Sequence, residues 1–149
     1  MVAATAIKNE TADRHSHIVR PTTMEWQKTR FPGCEVKTLL FDRTSGLVTA
    51  LMRFAPGAVL PDHEHVKIEQ TYVLEGKLVD KEGPAAGLEV KPGEFVWREP
   101  GSRHVAWTPE GGLMLAMFQI PNTFFERDGR VTDANGQDWE AVWGRALKG

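Results

Sequence analysis

"GAVLPDHEHVKIEQTYVLEG", Gly57 to Gly76, carries two histidines two residues apart and a glutamate four residues after the second. Its second half is rich in β-formers, and a Pro/Gly turn leads into it. On a strand, residues two apart point to one face. His63, His65 and Glu69 share that parity. Same-face neighbours lie about 6.6 Å apart at a rise of about 3.3 Å per residue. Two imidazoles at that spacing can converge on one ion through bonds of about 2.0–2.1 Å. The stretch therefore predicts a strand-borne metal site.

Outward from it the chain keeps the texture of short strands. Upstream, "CEVKTLLFDR" and "GLVTALMRF" flank "TSG" and read as a β-hairpin. Downstream, "KLVD", "LEV", "EFVWRE", "RHVAWT" and "LMLAMFQI" are separated by Gly/Pro turns, and the last closes the series. Strands at roughly 8–12-residue intervals predict an all-β sandwich or barrel. Residues 1–30 are polar and form an arm, with Thr22–Lys28 a short helix or an edge segment. The tail allows a helix around Asp138–Leu147, with Trp139, Val142 and Trp143 on one face. The expectation is one domain over residues 1–149, with its core at about 31–121 and a C-terminal segment at 122–149.

The composition is that of a globular protein, 41% hydrophobic and 26% charged, and 149 residues suffice to bury a core. With 18 basic and 20 acidic residues, no basic excess points to nucleic acid or an anionic membrane. The longest near-apolar run, Leu113–Ile120, is far short of a membrane span. The opening "MVAATAIKNETADR" does not read as a signal peptide, so a cytoplasmic address is expected. Cys34 is the only cysteine, which excludes an intrachain disulfide and a Cys-rich zinc module; it reads as a small hydrophobe on a strand.

His63, His65 and Glu69 need a further partner to enclose an ion, and His104 follows 39 residues past His65. The spacing of Gly57, His63, His65, Glu69 and Gly76 resembles the first cupin motif at every position. Gly93, Gly101 and His104 resemble the second. Glu99 stands where a proline is usual, with Pro100 beside it, and Thr108 where an asparagine is frequent. The resemblance covers roughly residues 45–120 and implies a jelly roll whose metal is held by His63, His65, Glu69 and His104. Within the superfamily the chain looks like the subgroup of the metal-binding cupin of certain anti-sigma factors. That subgroup also includes small dioxygenases that cleave acetylacetone or 2,4′-dihydroxyacetophenone. The acetylacetone-cleaving type is described with three histidines on iron, whereas here Glu69 stands at the ligand position; its parity with the histidines favours it as a fourth ligand. A mixed N/O set suits Fe(II), Mn, Ni, Co or Zn, and the resemblance favours Fe(II).

Other residues read as ordinary. The His15–His17 pair has no glutamate four residues on, and reads as solvated. Glu64 and Glu75 read as a surface charge and a turn residue. Tyr72, Trp97, Trp107 and Phe118 read as core packing rather than pocket walls. Arg53 and Arg98 lie within apolar strands; they read as strand-edge charges, with a substrate anion as the alternative partner. Two functions follow: an iron-dependent dioxygenase that takes a small substrate and O2, and a metal-dependent ligand binder or sensor without turnover. The resemblance further implies a homodimer.

Overall fold

The structure, a computed structural model, describes residues 15–42, 44–119 and 122–133. In chain order its strands are β1 (Gln27–Lys28), β2 (Cys34–Asp42), β3 (Leu47–Phe54), β4 (Ala58–His65), β5 (Glu69–Gly76), β6 (Leu78–Glu82), β7 (Glu89–Val90), β8 (Phe95–Arg98), β9 (Arg103–Thr108), β10 (Gly112–Gln119), β11 (Asn122–Phe125) and β12 (Val131–Asp133). A single 3₁₀ turn, Pro21–Thr23, precedes β1. The strands form two six-stranded antiparallel sheets, ordered β1-β2-β3-β10-β5-β8 and β12-β11-β4-β9-β6-β7. This is a jelly-roll sandwich, and among the described residues no helix is long and apolar enough to cross a membrane.

Alternation builds the core. Along β3 and β10 every second residue is buried, so Val48, Ala50 and Met52 face the opposite sheet together with Met114, Ala116 and Phe118. The "TSG" hairpin forms as expected, pairing β2 with β3. The expected C-terminal helix at Asp138–Leu147 lies outside the described residues.

Three expectations are corrected. The segment from Gly57 to Gly76 is two strands in different sheets, not one. β4 ends at His65, a bend over residues 66–68 crosses the edge of the sandwich, and β5 begins at Glu69. Strand parity therefore does not relate Glu69 to the histidines, although the crossing still delivers it to them. The strand series does not close at Ile120 either: β11 pairs with β4 directly beside the histidines, with Thr123 opposite Glu64 and Phe124 opposite His63. Its Phe124 is 1% exposed. Finally, Tyr72 and Trp97 are not core. They point out from the first sheet, because their neighbours Thr71 and Val73 take the inward face of β5 and Arg98 that of β8. Trp107 is half-buried, with Lys81 Nζ above its ring, and Phe118 is buried as expected.

Turn glycines hold the site's borders. Gly76, which ends the first motif, has a φ of +73°, and a Cβ there would meet the Gly111 carbonyl oxygen at 1.9 Å. Gly101, with a φ of +85°, lets the turn before β9 fold back onto β4. There Gly101 N–H donates to the His65 carbonyl at 2.7 Å, and His65 N–H donates to the Ser102 carbonyl at 2.9 Å. The two sequence motifs are thus hydrogen-bonded to each other at a predicted ligand.

Candidate metal centre

His63 and His65 come from the end of β4, and His104 from β9, directly opposite His63 in the register. All three are buried, between 1% and 4% exposed. One ring nitrogen from each lies within 4.8 Å of the others. The Nε2 atoms of His65 and His104 are 3.1 Å apart. The opposite nitrogen of each ring faces an acceptor. His63 Nδ1 lies 2.7 Å from the Pro61 carbonyl oxygen. His104 Nδ1 lies 3.0 Å from Asp80 Oδ1. Glu69 Oε2 lies 3.0 Å from His65 Nδ1, off the line of a formed hydrogen bond but within ion-pair range.

These partners fix the tautomers. A carbonyl or carboxylate oxygen only accepts, so the Nδ1 atoms of His63 and His104 carry the proton and their Nε2 atoms present lone pairs, and the Glu69 carboxylate facing His65 Nδ1 favours the same tautomer there. Three lone pairs then converge in a buried space. That arrangement is costly without a cation and favourable with one. Burial, aided by the neighbouring histidines, pushes His63 down to about 3, so its ring is neutral near pH 7, the form that ligates. The 3.1 Å spacing also fits two nitrogens sharing an ion, which sit about 3.0 Å apart when each bond is about 2.1 Å and the angle is near square. The residues present fit a divalent metal.

The predicted ligands separate into two groups. The three histidines converge, whereas Glu69 stands behind His65 and does not join their cluster. Burial alone would raise the Glu69 carboxyl; the facing histidines outweigh it and hold the group well below the usual carboxylate range. His15 and His17 are exposed. Arg53 is an exposed surface charge, 2.9 Å from Glu35. Cys34 is buried, and burial pushes its thiol up to about 12, which makes it inert as a nucleophile.

Two buried residues stand behind the cluster in places the sequence does not reveal. Asp80 is 1% exposed and supports His104. Its signal was a carboxylate inside the short apolar strand "KLVD", since a fully buried aspartate requires a partner. Burial pushes Asp80 upward, and hydrogen bonds from His104 and Arg98 more than reverse that, so it is anionic. Arg98 was singled out as a strand-edge charge or a substrate anchor. It is instead 7% exposed, with its two terminal nitrogens 2.8 and 2.7 Å from the two Asp80 oxygens.

Beside the histidines lies a cavity of about 40 Å³ between the sheets. His63, His104 and Glu69 form its polar end, and Met52, Phe54 and Met114 are among its apolar walls. Among the described residues no lysine or arginine lines it.

Comparison with solved structures agrees with this architecture. An acetylacetone dioxygenase from Acinetobacter johnsonii superposes with a TM-score of 0.70 at 17% identity, over 78% of this chain and 82% of that one. A protein of unknown function with a cupin-like fold from Ralstonia eutropha JMP134 is 27% identical, with a TM-score of 0.62, over 78% of this chain and 74% of that one. The complex of Rhodobacter sphaeroides SigE with the anti-sigma ChrR matches at a TM-score of 0.54 and 20% identity, over 67% of this chain and 51% of that one. No curated protein gives a significant match. The model of the ChrR cupin-like domain matches residues 14–123, a span that includes all three histidines and both buried carboxylates, and the chain belongs to that family.

Proposed function

We propose that the protein is a metal-dependent enzyme of the non-haem Fe(II) dioxygenase type, cleaving a C–C bond of a small β-diketone or hydroxyketone. The observation that carries this is the convergence of one ring nitrogen from each of three buried histidines, two of which border a largely apolar cavity. Fewer ligands than an octahedral ion accepts leave room for a chelating substrate and O2. When bound, Fe(II) supplies Lewis acidity towards chelating oxygens and a redox-active centre.

The chain's own residues do the rest. His63, His65 and His104 present ring nitrogens that converge on one point. Glu69 and Asp80 hold two of the rings from behind, and the Pro61 carbonyl holds the third. The Met52, Phe54 and Met114 walls exclude water and favour alkyl groups over charged ones. Arg98 is committed to Asp80, and among the described residues no lysine or arginine lines the cavity to bind a substrate carboxylate. Resemblance to the Acinetobacter enzyme supports the same reading.

The test is oxygen uptake by the Fe(II)-reconstituted protein with a panel of diketones and hydroxyketones, with carboxylic products identified by mass spectrometry. Consumption above background with a chelating ketone is expected; none across the panel rejects the enzyme reading. A second reading, a metal-dependent binder or sensor without turnover, is favoured by the small cavity and by the family's namesake in an anti-sigma factor. Ligand-induced stabilisation of the metal-loaded protein without product selects it.

A further inference from the structure

We propose that Arg98 is a positioning residue that aims two of the three histidines at once, by gathering the carboxylates behind them into one buried cluster. The inference rests on the metal-binding part of the reading above, and not on its oxygen chemistry.

Three strands contribute. Arg98 ends β8, Glu69 begins β5 directly opposite it in the register, and Asp80 comes from β6 in the other sheet. Both terminal nitrogens of the guanidinium bind Asp80, at 2.7 and 2.8 Å. Its third donor, Nε–H, is buried without a hydrogen bond and lies 3.6 Å from Glu69 Oε1. The same carboxylates reach forward: Asp80 Oδ1 to His104 Nδ1 and Glu69 Oε2 to His65 Nδ1, each at 3.0 Å. A guanidinium thus stands one carboxylate away from each of two ligand rings. His63 is outside the cluster. Its ring is set by the Pro61 carbonyl and by Phe124, 5.2 Å away between ring centroids.

The chemistry requires arginine. A planar fork grips Asp80 bidentately and still directs a third donor elsewhere, whereas an ammonium is a point charge that cannot span both groups. A buried ion pair is weak evidence of a stability device. What distinguishes this one is its burial behind the ligand rings: the Arg103–Asp62 pair is equally bidentate, but exposed. Arg98 also joins the two sheets at the metal's back wall, so losing it frees both carboxylates to turn.

Position and charge predict opposite results. As a bare charge, the guanidinium repels a divalent ion, and its removal raises affinity. As a clamp, it orients donors, and its removal lowers affinity. Co(II) titration of the full chain against a chelator, with the ligand-field absorption recorded, separates the two. Arg98→Met removes charge and fork, Arg98→Lys keeps the charge alone, and Val73→Ala weakens the core on β5 without touching the cluster.

Both Arg98 variants are expected to lose at least about tenfold in Co(II) affinity and to change the spectrum, as losses behind the ligands typically do. Val73→Ala should lower the unfolding midpoint while keeping both affinity and spectrum. Arg98→Lys with wild-type affinity and spectrum overturns the clamp. So does tighter binding by Arg98→Met, or equal affinity loss in Val73→Ala. Wild-type protein that takes up no Co(II) overturns the metal reading as well, whereas normal wild-type uptake with unaffected Arg98 variants overturns only this inference.

Discussion

Each histidine of the cluster faces a different kind of acceptor: a carbonyl behind His63, a glutamate behind His65 and an aspartate behind His104. The direct bonds are equivalent, so His104→Ala should abolish metal retention as fully as His63→Ala, while His17→Ala leaves metal content unchanged by elemental measurement. Glu69→Gln keeps shape and loses charge. It should weaken binding about 10–100-fold, as an outer-sphere loss does. In the loaded protein three histidine nitrogens are expected at the ion, with Glu69 beyond the roughly 2.0–2.2 Å of a carboxylate bond. A Glu69 oxygen at bonding distance would restore the four-ligand set. The same groups make the metal-free protein acid-labile. His63 drops from its ordinary 6.5 to about 3, so between those values the unfolded chain binds more protons and stability falls as pH falls. The loss is on the order of a few kcal/mol. Glu69 and Asp80, both depressed, add a further loss below about pH 4–5. Urea unfolding of the metal-free protein at pH 7.5 and pH 5 checks the sign; equal midpoints at the two pH values would contradict it.

At the scale of elements, the bend between β4 and β5 and the added strand β11 decide the site. The bend carries Glu69 into the other sheet, where it meets Arg98 and faces His65 from behind. β11 covers the edge of β4, and Phe124 packs between Phe31 and His63, 5.2 Å from each ring. Phe124→Ala should therefore cost about 3–5 kcal/mol in denaturant unfolding, as an aromatic truncated inside a core does. It should also loosen His63 and reduce metal affinity. Wild-type stability in that variant would place Phe124 outside the core.

At the scale of the molecule, the first sheet has unlike faces and an open edge. β8 pairs only with β5, and the outer face there carries Phe95 and Trp97, 50% and 55% exposed, beside Tyr72 and Leu74. Exposed aromatics on an edge strand are a liability that proteins cover. We propose that a second copy covers them, since an antiparallel edge is self-complementary about a two-fold axis. Sedimentation should show a dimer, and Trp97→Lys should shift it to monomer; a monomer at every concentration refutes the pairing.

The sequence by itself determined the strands and the three histidines. Alternation on β3 and β10, the glycine and proline turns and the His63–His65 pair are local patterns, each expressed within a few residues of chain, and His104 stands in a second short motif of its own 39 residues past His65. It also points to Glu69, although the alternation that does so stops at the bend between β4 and β5, which no local pattern reveals. Only the tertiary structure decided which groups stand behind the ligands. Asp80 lies 24 residues from His104 and 18 from Arg98 in the chain. Their meeting depends on β6 pairing with β9 in one sheet and on β8 belonging to the other, which no local pattern encodes. Burial decided the rest. An arginine on an apolar strand reads the same whether its fork faces water or a carboxylate, and only the closing of the second sheet over Arg98 turned it inward to Asp80.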